Sequence, residues 1–153
     1  MNQPASHPVI SHFINGQHVA STSGRLQDVF NPATGAVTAQ VALASVAEVQ
    51  QAVAAAHAAA PGWAATAPLK RARILSRFKE LMEQHHDALA AAITREHGKV
   101  FTDARGEVTR GLEVVEFACG APQLMKTQFS DNIGGGIDNW QLRQPLGVTV
   151  GIT

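Results

Sequence analysis

The chain has 153 residues, in which 12 Lys and Arg balance 12 Asp and Glu, and 45% of its residues are apolar. That is enough for one ordinary domain with a core. It leaves no basic block or acidic tail of the kind that marks a nucleic-acid or membrane-surface partner. A single cysteine rules out an internal disulfide framework and fits a reducing compartment. The first residues, MNQPASHPVISH, lack the basic and apolar regions of a signal peptide, and no apolar run approaches the ~20 residues of a membrane span. These features predict a soluble, cytoplasmic protein.

In chain order, residues 1–11 read as a loosely attached arm. Asn15-Gly16 between two short β-prone runs (His12 to Ala20) predicts a hairpin with a tight turn. Asp28 to Phe30 and Val37 to Leu43 read as strands around the turn Asn31-Pro32-Ala33-Thr34-Gly35. Ser45 and Glu48 have the spacing of a capping box, opening a helix with a stripe of Val46, Val49, Val53, Ala56 and Ala60. Pro61-Gly62 is expected to end it, with Trp63 just beyond. A second helix runs from about Pro68 to about Gln84, with Leu69, Ala72, Leu75, Phe78 and Met82 on its apolar face. Asp87 is expected to cap a third, and Gly98 to end that one in a left-handed conformation.

The longest predicted helix, Lys99 to Cys119, aligns Phe101, Ala104, Val108, Leu112, Val115 and Cys119 on one face. The opposite face carries Asp103, Glu107 and Arg110 together with Val114 and Phe117. Arg110 has two readings at this level: an ion pair with Asp103, Glu107 or Glu113, or a planar fork for the carboxylate or phosphate of a ligand. Pattern alone favours the ion pair. Cys119 lies on the apolar stripe, with no histidine near it in sequence, and reads as a packing residue rather than a nucleophile.

Seven histidines include no His-x-x-x-His pair, which leaves no metal-binding spacing. Gly134-Gly135-Gly136 follows no buried strand and opens no helix, so it is read as a flexible or tight-turn connection rather than a phosphate loop. Asp138 to Gln144 reads as a strand. Leu146 to Thr153 reads as a buried parallel strand for which the preceding chain supplies no neighbours, so the sequence reads as cut short.

Several segments together resemble the first third of an aldehyde dehydrogenase: FINGQHV, DVFNPATGAV, the Arg71-Ala72-Arg73-Ile74-Leu75 helix, EHGKVFTDARGEV and PLGVTVGIT. GEVTRGLEVVEFACGAPQLM is similar to the CoA-acylating methylmalonate-semialdehyde (malonate-semialdehyde) branch. The resemblance implies an α/β fold, the N-terminal portion of a Rossmann-like NAD-binding domain with strands of an oligomerisation domain. The organisation it implies is a flexible arm at 1–11, a hairpin and helical part at 12–122, an oligomerisation-type loop and strand at 123–145, and the first sheet strand at 146–153.

For function, the resemblance implies oxidation of methylmalonate or malonate semialdehyde with NAD as cofactor and coenzyme A as co-substrate. The products would be propionyl-CoA or acetyl-CoA, CO2 and NADH, and the active form a homotetramer. Arg110 matches a residue of that branch associated with the substrate carboxylate, and Thr153 a position beside NAD. The family's catalytic cysteine matches nothing in this chain, so the 153-residue polypeptide is expected to be inactive. Two alternatives stay open, a fragment of a hydrolytic semialdehyde dehydrogenase and a non-catalytic oligomerisation module.

Overall fold

The computed structural model describes residues 7–152. Thr153 and the first six residues lie outside the described part. Strand β1 (Val9–Ile10) runs parallel to β5 (Val37–Ala42), which pairs antiparallel on its other side with β4 (Leu26–Phe30). The end of the expected arm is therefore built into a sheet. The Gln40 amide donates to the Pro8 carbonyl at 3.0 Å, which fixes the register.

A separate hairpin joins β2 (His12–Ile14) to β3 (Gln17–Val19). Its two-residue turn has φ of 52° at Asn15 and 76° at Gly16, the left-handed pair that matches the twist of flanking strands.

Helix α1 (Val46–Ala65) opens on the expected capping box, with the Glu48 amide donating to Ser45 Oγ at 3.3 Å. The Glu48 carboxylate does more than cap. It accepts from the amides of Ser45 (2.7 Å) and Thr22 (2.6 Å) and from the Ser21 hydroxyl (3.1 Å), so it ties the loop after β3 to the helix. The Ser45 and Thr22 amides, reinforced by the Ser45 and Ser21 hydroxyls, lower its pKa from 4.5 to about 2 despite burial.

A carboxyl held below its ordinary value stabilises the fold above that value and loses the contribution as pH falls. Glu48→Gln is therefore expected to unfold at lower urea than the parent at neutral pH. The gap should shrink below about 4.5 and close near pH 2. Urea midpoints across that range test it, and a gap independent of pH would remove the charge from the account.

The expected stop at Pro61 does not occur. Proline deletes its own amide bond and crowds the carbonyl four residues back, and His57, which carries that carbonyl, is exposed and leaves it access to water. The last turn is closed instead by Thr66, whose amide donates to the Trp63 carbonyl (3.1 Å) and whose hydroxyl donates to the Gly62 carbonyl (2.9 Å). Trp63 thus lies inside the helix, with the Arg71 guanidinium 5.9 Å from its ring centroid. The valine stripe of α1 is not covered by other described residues: Val46, Val49 and Val53 stay exposed.

Helices α2 (Pro68–Gln84), α3 (His86–His97) and α4 (Phe101–Cys119) form the packed part of the chain. Its centre is Ala90, Ala104 and Val108, with Ile93 and Leu112 beside them. Ala90 and Ala104 are wholly inaccessible to solvent, so small side chains set the distance between α3 and α4.

Gly98 ends α3 at φ 85°, as expected. It has a second duty, since a Cβ there would stand 3.0 Å from Pro32 Cγ, so the turn between β4 and β5 rests on the joint before α4. Asp87 is not the cap of α3. His85 takes that place, and the Asp87 carboxylate pairs with Arg105 Nε of α4 at 3.0 Å. Helix α4 begins at Phe101 rather than Lys99, because Val100 is extended.

A short helix α5 (Ala121–Leu124) follows. Then β6 (Phe129–Ser130) pairs with β7 (Asn139–Trp140), a shorter strand than the expected Asp138 to Gln144 because its partner offers only two residues. The glycine run between them is a built turn, in which the Gly136 amide donates to Asn132 Oδ1 at 2.6 Å. Residues 146–152 form no ladder, and Leu146 and Ile152 are each 97% exposed. The expected buried strand is absent there, because a strand needs a neighbour to bond to and the described residues provide none.

Candidate functional site

The candidate site is the outer face of α4. Gly98 turns the chain, extended Val100 starts the helix, and the apolar stripe through Ala104 and Val108 pins one side to α3 and α2. The other side, carrying Arg110, Val114 and Phe117, is exposed; Val114 and Phe117 are each at 69%. The second face is thus open rather than half-buried.

Arg110 forms none of the three ion pairs its spacing offers: Asp103 and Glu107 go to Lys99, and Glu113 stands in no ion pair among the described residues. Lys99 Nζ takes both Asp103 (2.7 Å) and Glu107. Hydrogen bonding from Lys99 holds Asp103 below the usual carboxylate range, and the bonds it donates to Asp103 and then Glu107 raise the pKa of Lys99. Among the described residues, Arg110 has no carboxylate within ion-pairing distance. An always-charged fork of fixed geometry is left facing outward. Sequence spacing missed this because Asp103 is also four residues from Lys99, whose reach along the first turn was not weighed.

Beside Arg110 on α4 lies a shallow, open surface groove lined by His86, Thr102, Arg105, Gly106 and Thr109. The Thr109 hydroxyl donates to the Arg105 carbonyl (3.1 Å) and lies 3.2 Å from His86 Nε2. Nothing in the sequence spacing marks Thr102, Arg105, Gly106 or Thr109 as site residues. Thr153, the other expected site residue, lies outside the described residues. Cys119 is partly buried beside the apolar face of α4, in keeping with a packing role.

This order of elements, a small sheet and hairpin followed by a helical layer, is found among proteins of one family. The aldehyde dehydrogenase family profile matches residues 18–153, and the chain belongs to that family. It is 49% identical over 144 residues to the malonate-semialdehyde dehydrogenase of Pseudomonas aeruginosa, a match covering 94% of this chain and 29% of that protein.

Among solved structures, it superposes on the methylmalonate-semialdehyde dehydrogenase of Oceanimonas doudoroffii with TM-score 0.87 at 53% identity, covering 91% of this chain and 28% of the other. It also superposes on a provisionally assigned methylmalonate-semialdehyde dehydrogenase of Sinorhizobium meliloti complexed with NAD, with TM-score 0.89 at 48% identity, covering 94% and 29%. The fold is therefore the N-terminal portion of the aldehyde dehydrogenase fold, and the chain spans about three-tenths of the length of these relatives. No described helix is long and apolar enough to cross a membrane.

Proposed function

We propose that this chain supplies the N-terminal, substrate-recognising part of a cytoplasmic dehydrogenase that oxidises methylmalonate or malonate semialdehyde. NAD accepts the hydride and coenzyme A accepts the acyl group, giving propionyl-CoA or acetyl-CoA with loss of CO2. The observation that carries the reading is Arg110. Its guanidinium is exposed and unpaired among the described residues, with Asp103 and Glu107 held by Lys99 and Glu113 in no ion pair, and a free planar fork suits a substrate carboxylate. The names of the relatives, and the NAD bound to one of them, support the substrate class and cofactor. Thr153 is the residue proposed to meet NAD, and no cofactor geometry is attributed to the described residues.

Homotetramer formation belongs to the same proposal. The β6–β7 hairpin, with Phe129 and Trp140 exposed at 63% and 65%, offers an apolar ribbon suited to a second copy.

The test uses an enzyme of the relatives' length that carries this chain as its N-terminal part. Arg110→Ala is expected to raise KM for malonate semialdehyde about 10- to 100-fold, the value of a charge-assisted hydrogen bond, with little change for propanal. Equal losses for both would return Arg110 to a structural role. Omitting coenzyme A should stop turnover, whereas undiminished NADH formation would identify a hydrolytic enzyme. The purified 153-residue chain is expected to form no NADH.

A further inference from the structure

Helix α4 contains two interior glycines, and only one has a packing reason. A Cβ at Gly111 would meet Met82 Cε of α2 at 3.7 Å, an ordinary contact in an interface between helices. A Cβ at Gly106 would meet nothing within 4 Å. Glycine inside a helix costs about 0.5–1 kcal/mol relative to alanine, and no neighbour among the described residues accounts for that cost. Gly106 lies one turn before Arg110, so the two share a helix face. Above it opens the shallow surface groove, whose other walls are His86, Thr102, Arg105 and Thr109. Those walls are held in place: Asp87 fixes the Arg105 guanidinium at 3.0 Å, and Thr109 bridges the Arg105 carbonyl and His86 Nε2.

We infer that Gly106 is a specificity-determining residue, left without a side chain so that the carboxylate-bearing carbon of a short semialdehyde can lie against the α4 backbone while its carboxylate reaches Arg110. The ligand class is a short-chain 3-oxo acid, and the room over Gly106 admits a methyl branch on the carbon between its two carbonyl groups. The polar walls at Thr102 and Thr109 suit a substrate end that carries charge and ordered water rather than an alkyl chain. This rests on Arg110 as the carboxylate-binding residue.

The test compares Gly106→Ala and Arg110→Ala in the enzyme of full relative length. Gly106→Ala should raise the melting temperature by about 1–2 °C, since alanine favours the helix and meets no neighbour. It should also raise KM about tenfold for methylmalonate semialdehyde, less for malonate semialdehyde and not at all for propanal, as expected for one methyl group's worth of lost room. An unchanged KM for both semialdehydes, with Arg110→Ala still selective against them, would overturn the inference and leave the Arg110 reading standing. A lowered melting temperature would also overturn it, by giving Gly106 a packing role. If Arg110→Ala itself shows no selectivity for carboxylate-bearing substrates, the Arg110 reading fails and the inference falls with it.

Discussion

Replacing Gly98 by valine is expected to destabilise the chain by about 2–3 kcal/mol, combining the left-handed backbone penalty of an L-residue with a steric clash. Gly98 sits at φ 85°, where a branched side chain is worst placed, and even its first carbon would approach Pro32 Cγ to 3.0 Å and Pro32 Cβ to 3.3 Å. The two contributions can be separated. Asparagine tolerates the left-handed region better than most residues, so Gly98→Asn should recover part of the backbone share while keeping the clash. Shortening the neighbour with Pro32→Ala in the Gly98→Ala background should recover part of the steric share, since residues in contact are energetically coupled. Urea unfolding of the parent, Gly98→Val, Gly98→Asn, Gly98→Ala, Pro32→Ala and the double variant measures both. If Pro32→Ala brings no recovery, the turn before β5 is not what braces the α3–α4 joint.

Ala104→Leu is expected to cost about 1–3 kcal/mol, the usual penalty for inserting methylene groups where no space exists. Ala104 and Ala90 have no solvent exposure, and Val108 has only 5%. A leucine at 104 must push α3 and α4 apart or leave its preferred rotamer. Movement of α4 would carry Arg110 and the Gly106 notch with it, so the same variant should raise KM for the semialdehydes in the longer enzyme. A neutral melt would mean that these alanines do not set the helix spacing.

The parts of the fold written in local chemistry were legible in the sequence. The Asn15-Gly16 turn, the Ser45–Glu48 capping box and the left-handed Gly98 depend on a few adjacent residues, and each formed as expected. Where a partner at a distance decides, the sequence was less informative. Leu146 to Ile152 has the apolar alternation of a strand, but alternation supplies side chains and not the second backbone that a ladder requires. Pro61 was read as a stop because its cost is usually decisive. Here the deleted bond falls on the exposed side of α1, and Thr66 closes the last turn. At the site, the residue type of Arg110 was visible but its lack of a partner was not. That depended on how far the Lys99 side chain could reach, with the helix starting two residues later than expected.

Helix α1 is fastened at its two ends, by Glu48 to the loop after β3 and by Trp63 to Arg71 of α2, and packs substantially on no other element along its length. Mechanically it is a strut between two cooperative bodies, the sheet around β5 and the helical layer of α2, α3 and α4. Contacts within the helical layer join α3 to α4 and α2 to α4 with at most one short helix between, whereas β1 must find β5 across the intervening hairpin and β4. Low sequence separation favours rapid assembly of the helical layer, and loop closure slows the sheet. Helix α4 therefore belongs to the faster-assembling layer, which the sheet meets through the end fastenings of α1 and directly where Pro32 rests on Gly98.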